Sequence, residues 1–218
     1  MTKNKDIYTA IACMLSAVFL MVTLDVIAKY LLVKYSVVQM TFLRGFFSLI
    51  ILGSIGVLKD GRSIFRTEIP EWHFARTVLM IVSTFTFFAA LKLLPLVNVM
   101  VIVFIAPIVV AALSGPLLGE KVGPWRWSAV MIGFIGVLVI LQPSSEFSLI
   151  GTIYALIGVI TYALLSLSSR KLSEQESAFN LSFYVFIGPT ILGAISSYFY
   201  WIPPNQFDWL LFLLSGLV

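Results

Sequence analysis

Long uninterrupted apolar segments are the feature of this sequence that most restricts its fold. A helix needs about 20 mostly apolar residues to cross about 30 Å of hydrocarbon. Seven segments meet that length, and an eighth begins near Trp209 and is still apolar at Val218. The seven predicted spans are residues 8–32, 37–58, 73–92, 96–118, 125–142, 150–169 and 179–201. Because these runs do not alternate apolar with polar residues, they predict membrane helices and not the strands of a barrel.

The composition excludes most other classes of protein. The 218 residues are 60% hydrophobic and 11% charged, whereas soluble domains have roughly 45–50% apolar and about 25% charged residues. So few charged residues cannot cover a surface exposed to water, which excludes a soluble enzyme and a disordered chain. The net charge is +4, but the basic residues are spread over the loops and form no patch for a nucleic acid. We therefore predict an all-α, polytopic membrane helix bundle whose first partner is the lipid bilayer.

Cysteine and histidine are too scarce for most site chemistry. Cys13 is the only cysteine and His73 the only histidine, so the sequence predicts no intrachain disulfide and no zinc site. It contains no GxxxxGK[ST] loop for ATP phosphates. We expect no metal, no cofactor and no catalytic residue.

Lysine and arginine are distributed unequally between the two sides of the predicted bundle. With a cytoplasmic N-terminus, ten basic residues lie on the cytoplasmic side and three on the opposite side. The ten are Lys3, Lys5, Lys59, Arg62, Arg66, Arg76, Lys121, Arg126, Arg170 and Lys171, and the three are Lys29, Lys34 and Lys92. Because cytoplasmic loops carry an excess of positive residues, we expect a cytoplasmic N-terminus in an inner membrane of bacterial type.

A weak internal repeat is visible at an offset of 142 residues, which aligns Lys29 with Lys171 and Phe42 with Tyr184. Both stretches consist of a long helix, a basic residue, a short polar loop and a second long helix. Five spans separate the copies, and because five is odd the second copy must cross the membrane in the opposite direction. Inverted repeats of this kind are typical of secondary transporters.

One stretch carries a family resemblance. Residues 117–127 read Leu-Leu-Gly-Glu-Lys-Val-Gly-Pro-Trp-Arg-Trp and are followed by Ile-Gly-Phe-Ile-Gly-Val at 132–137. Together with Arg44 in the second span, and with 89–92 and Pro95 at the end of the third, this stretch resembles the EamA domain of the drug/metabolite transporter superfamily. The resemblance implies ten spans in two five-helix halves.

The resemblance also implies how the chain is divided. Residues 7–142 are expected to form a first EamA-like five-helix repeat, and 150–218 a second one that stops within its third helix. The second Gly-Glu pair of the family is absent. The first pair includes Gly119, which we expect to end a helix with a positive φ, and Glu120, which we expect to shape the turn.

Two charges inside the predicted spans need an explanation, because a charge at mid-bilayer costs about 2.5–3.5 kcal/mol on insertion scales. Asp25 precedes Lys29 by four residues on one helical face. Asp25 is then either paired near the outer end while Lys29 extends to water, or lines a cavity. Arg44, with Gln39 one and a half turns before it, needs a carboxylate, carbonyls or an anionic ligand, and Asp25 is a candidate partner.

Other polar residues and helix breaks are weaker candidates. Asn98 begins the fourth span and Pro107 is expected to kink it, whereas Tyr162 belongs to a polar stripe on the sixth. His73 and Arg76 are expected to anchor the third span at the interface. The predicted substrate-binding residues are Asp25, Lys29, Gln39, Arg44, Asn98 and Tyr162.

The resemblance implies a secondary transporter that moves a small polar metabolite by alternating access. A coupling ion or proton and a homodimer stay open as further partners. Two alternatives are kept: a membrane-embedded enzyme, for which His73 with Glu71 is the only candidate pair, and a non-transporting membrane subunit.

Overall fold

The structure is a computed structural model that describes residues 2–61, 65–120, 122–141 and 148–217. This part of the chain forms nine α-helices. They are α1 (Thr2–Lys34), α2 (Val37–Asp60), α3 (Pro70–Leu93), α4 (Leu96–Val103), α5 (Ala106–Leu118), α6 (Pro124–Leu141), α7 (Leu149–Leu172), α8 (Ala178–Ser197) and α9 (Gln206–Ser215). Arg62, Lys121 and the junction 142–147 lie outside the described residues, as do the side chains of Lys3 and Lys5.

The described helices confirm the predicted all-α membrane bundle. Six segments are long and apolar enough to cross a membrane, and many large apolar side chains on them face outward. The six are 14–34, 37–59, 70–93, 96–118, 149–172 and 178–197. The last differs from the predicted span 179–201, because α8 ends at Ser197 and residues 201–205 form an irregular segment before α9.

Consecutive spans run in opposite directions, so the bundle has two sides. We call the side where α1 begins the near side, and the side where α1 ends the far side. The starts of α3 and α8 then lie on the near side, and the starts of α2, α7 and α9 lie on the far side.

The fourth span is broken in the middle. Phe104 and Ile105 form a tight turn between α4 and α5, in which Ile105 N–H donates to Ile102 O at 3.0 Å. Pro107 follows in the first turn of α5, where its missing N–H has no bond to lose. This confirms the predicted kink at Pro107.

The centre of the bundle is made by α2, α3, α7 and α8, with α3 packed on both α7 and α8 and α2 packed on α8. The crossing of α2 and α8 is close because Gly193 lies against Phe42. A Cβ on Gly193 would be 2.8 Å from the backbone nitrogen of Phe42. An apolar core fills the far side, where Leu31, Met40 and Phe212 are fully buried.

Two glycines of α6, Gly133 and Gly136, face open space among the described residues. No described atom other than those of its own helix lies within 4 Å of a Cβ built on Gly133 or Gly136. The close helix approaches of this bundle are made by glycines on α2, α7 and α8, namely Gly45, Gly56, Gly151, Gly188 and Gly193.

We expect Gly193→Ala to lower the free energy of unfolding by about 1–3 kcal/mol, because the added methyl overpacks a backbone contact. The matched substitution Gly133→Ala meets open space, and it should be neutral or stabilising by up to about 1 kcal/mol through helix propensity. Thermal unfolding of the two purified variants in detergent measures both effects. Equal effects of the two substitutions would contradict the close approach of α2 and α8.

Candidate functional site

The charges that the sequence places inside the membrane lie at the junction of α1, α2 and α3. Asp25 on α1 is 6% exposed, and Arg44 on α2 is half-buried. The two charges interact electrostatically, although the three ion pairs within 4.0 Å among the described residues do not include them. The Arg44 guanidinium also lies over the ring of Phe88 on α3, 5.6 Å from its centroid. The structure therefore brings Asp25 and Arg44 together across the first hairpin.

Lys29 on α1 is half-buried. Its ammonium donates to the backbone carbonyls of Leu91 and Leu94, the second at 2.7 Å. These carbonyls lie at the end of α3, where the last turn of a helix leaves oxygens without partners within the helix. Lys29 thus ties α1 to the end of α3.

Gln39 is fully buried and both ends of its amide are engaged. Its Nε2 donates to Ile202 O at 2.7 Å, and its Oε1 accepts from Ile202 N–H at 3.0 Å. These two hydrogen bonds hold the segment before α9 against the start of α2. Of the remaining predicted site residues, Asn98 is half-buried near the start of α4, and Tyr162 on α7 is 49% exposed.

Two cavities open on the far side of the bundle. The larger, of about 330 Å³, is lined by Lys34, Lys92 and the segment 199–202, among others. The smaller, of about 280 Å³, lies between Lys29 and Lys92. Neither is lined by Asp25 or Arg44, so the expected hollow at the charge pair is not one of these cavities.

Sequence reasoning missed a cluster of buried polar side chains on the near side. Arg76 on α3 is 2% exposed. Its Nη1 donates to the hydroxyls of Ser168 and Ser169 on α7, both at 2.8 Å, and its Nη2 donates to Leu181 O on α8 at 2.9 Å. One guanidinium thus joins three helices, which only its fork of several donors allows.

His73 and Glu176 form the second part of the cluster. His73 is 3% exposed, and its Nε2 lies 3.2 Å from Oε2 of Glu176. The same carboxylate accepts from Thr67 Oγ1 and, at 2.7 Å, from Asn180 Nδ2. Burial raises the pKa of Glu176, but these hydrogen bonds outweigh it and hold that pKa below the ordinary 4.5.

The near-side cluster corrects two expectations. His73 and Arg76 are buried between helices, so their predicted role as interfacial anchors is wrong. The candidate catalytic pair of His73 with Glu71 is also wrong, because Glu71 is exposed and His73 faces Glu176. The sequence contained one indication of this cluster. Polar residues occur in two other spans on the side where Arg76 lies, namely Ser168, Ser169 and Asn180.

The turn after α5 has the expected geometry. Gly119 has φ 71°, in the left-handed region, and its N–H closes the helix on Gly115 O. Glu120 forms a 2.8 Å ion pair with Arg170 at the end of α7. Among the described residues, no group of three His, Cys, Asp or Glu side chains could hold a metal ion.

Residues 8–142 match the model of the EamA-like transporter family. The chain belongs to that family.

Curated relatives of this EamA-like protein carry transporter names. It is 28% identical to an S-adenosylmethionine uptake transporter of Rickettsia prowazekii over 192 residues, which is 88% of this chain and 65% of the relative. It is 26% identical to a riboflavin transporter of Vibrio cholerae over 209 residues, which is 94% of this chain and 70% of the relative. The chain therefore spans about two thirds of the length of these relatives.

A solved structure shows the same fold. A crystal structure of a protein 20% identical in sequence superposes with a TM-score of 0.69, covering 93% of this chain and 74% of its own. The family, the fold and the six apolar helices together establish a multi-pass integral membrane protein.

We expect Glu176→Gln to lower the stability of this EamA-like protein at neutral pH by about 1.5–3 kcal/mol, because charged hydrogen bonds are lost. Since the folded pKa is depressed, the carboxylate stabilises the protein fully above pH 4.5 and loses this effect as the pH falls through the folded value. The difference in Tm between wild type and variant should therefore shrink as the pH falls from neutral to below 4.5.

The matched control is Glu174→Gln, since Glu174 lies in the same loop and is exposed. Scanning fluorimetry of the three proteins in detergent across this pH range gives the comparison. A Tm difference for Glu176→Gln that is constant with pH would contradict the assigned role.

Proposed function

We propose that this protein is a secondary transporter that carries a small polar metabolite across a bacterial-type inner membrane by alternating access. The observation that carries the proposal is the match of residues 8–142 to a family of transporters. The names of the curated relatives support it, because they describe uptake of S-adenosylmethionine and transport of riboflavin. We take these two solutes as the first candidates for this chain.

The packing of the helices supports an inverted repeat, in which α1, α2 and α3 correspond to α7, α8 and α9. In the described part of the chain, α3 contacts α7 and α8, while α9 contacts α1 and α2; α2 contacts α8. Exchanging α1 with α7, α2 with α8 and α3 with α9 turns the contacts of α3 with α7 and α8 into the contacts of α9 with α1 and α2. The contact between α2 and α8 is unchanged by the exchange. Such exchange is what a twofold axis in the membrane plane produces.

Asp25 and Arg44 are the residues we assign to the solute. An acid and a guanidinium inside a span are costly unless they serve each other or a polar ligand, and here they interact without a close ion pair. We propose that a solute with charged or hydrogen-bonding groups inserts between them when the bundle opens. Phe88, beneath the guanidinium, offers an apolar face to the same solute.

Flux through proteoliposomes tests the proposal. The wild type should accumulate S-adenosylmethionine or riboflavin with saturation, and Asp25→Asn and Arg44→Ala should lower the rate at least tenfold, the equivalent of about 1.4 kcal/mol or more in solute or transition-state interaction. Elution as a single folded species in size-exclusion chromatography shows that the variants are intact.

Phe19→Leu serves as the control, because Phe19 is a large exposed side chain on the same helix as Asp25. It should transport at the wild-type rate. Wild-type rates in both charge variants would contradict the assigned site, and no saturable flux of either solute in the wild type would contradict the candidate solutes.

A further inference from the structure

Two short segments at opposite sides of the bundle use the same set of hydrogen bonds. On the far side, Ser36 caps α2 and accepts from Gln39 N–H at 3.2 Å. On the near side, Ser177 caps α8 and accepts from Asn180 N–H at 3.1 Å. Each serine begins the second helix of a hairpin, and the two serines are 141 residues apart in the sequence.

The residue before each serine reaches the first turns of another helix. Tyr35 Oη donates to Asp208 Oδ2 on α9 at 2.7 Å. At the equivalent position, Glu176 Oε2 lies 3.2 Å from His73 Nε2 on α3. The chemical groups differ, but the connection is the same: the hairpin of one half touches the third helix of the other half.

The amide three residues after each serine binds the backbone in front of that third helix. Gln39 Nε2 donates to Ile202 O, in the segment before α9, at 2.7 Å. Asn180 Nδ2 donates to Arg66 O, in the segment before α3, at 2.9 Å. Cap, preceding residue and amide therefore correspond one by one at an offset of 141, and not at the 142 that alignment of basic residues predicts.

We propose that residues 35–39, the far clamp, and residues 176–180, the near clamp, are equivalent latches. Each holds one side of the bundle closed, and the two clamps open in alternation. This inference rests on the proposed transport function. Gln39 and Asn180 are then positioning residues: each fixes the segment before the third helix of the other half, and neither needs to touch the solute.

The location of the clamps fits alternating opening. Rocking of one half against the other must separate α3 from the α7–α8 hairpin on one side, and α9 from the α1–α2 hairpin on the other. The near clamp joins α3 to the α7–α8 hairpin, and the far clamp joins α9 to the α1–α2 hairpin. Both do so through a few hydrogen bonds at helix starts, where water can replace the protein partner when that side opens.

The two clamps are unequal in how completely their polar atoms are paired. Both ends of the Gln39 amide are engaged. On the near side, His73 Nδ1 and Asn180 Oδ1 are buried without a hydrogen-bond partner among the described residues. Opening would hydrate these two atoms, but it would also break the bonds of Arg76 to Ser168, Ser169 and Leu181 O.

Two matched positions provide one cysteine reporter for each side of the bundle. Met40 and Leu181 directly follow the two clamp amides, and both are buried apolar side chains. Met40→Cys and Leu181→Cys, each introduced into Cys13→Ser protein, report opening on the far and near side when the protein in lipid nanodiscs is labelled with a water-soluble maleimide.

Gln39→Met removes the far amide at nearly constant volume and should raise labelling at Met40→Cys while lowering it at Leu181→Cys. Asn180→Leu should do the reverse. Each change should be roughly three- to tenfold, as expected from the loss of one or two buried hydrogen bonds.

Thr41→Val is the control, because Thr41 is buried on α2 and its hydroxyl, within the described part of the chain, bonds only to Val37 O in its own helix. It should change neither reporter. Opposite changes in the two reporters support alternating latches. Parallel increases at both reporters, or no change in either, would overturn the proposal. If an apolar variant fails to fold, Gln39→Asn and Asn180→Ala replace it with the same expected signs.

Labelling requires no solute, so this test is independent of flux. If the two reporters change in opposite directions but the protein transports neither candidate solute, the latches are supported and the proposed solutes are wrong. Saturable flux together with parallel labelling changes would keep the transport proposal and remove the latches.

Discussion

Polar groups inside a bilayer must find partners within the protein, and that constraint arranges this bundle. Water is absent from the hydrocarbon core, so an unpaired polar group there costs several kcal/mol. Arg76 meets this constraint by binding two serines on α7 and a carbonyl on α8. Lys29 meets it by binding carbonyls at the end of α3. In both cases a charge that is expensive on a single helix becomes a contact between helices.

The consequence is a bundle whose two sides are closed by different means. The far side combines an apolar core with the bonds of Gln39 and of Asp208. The near side has the polar cluster around Arg76 and Glu176. Between the two sides lie Asp25 and Arg44, the charges that we propose to contact the solute.

The sequence predicts the helices well and the polar contacts poorly, for a physical reason. Hydrophobic length determines whether a segment crosses the membrane, and Gly119 and Pro107 carry their own backbone restrictions, so these features are readable one segment at a time. The partners of Arg76 lie 92 to 105 residues away, and their contact depends on how α3, α7 and α8 pack. Periodicity contains no such information, which is why Arg76 and His73 were expected at the interface.

The most direct test of the account is whether Asp25 meets water. Asp25→Cys in Cys13→Ser protein, reconstituted in nanodiscs, should react with a water-soluble methanethiosulfonate, and a transported solute should slow the reaction. Glu71→Cys, at an exposed position, reports that the reagent is active. A folded protein in which the Glu71→Cys thiol reacts and the Asp25→Cys thiol never does would contradict a solute pathway at the charge pair.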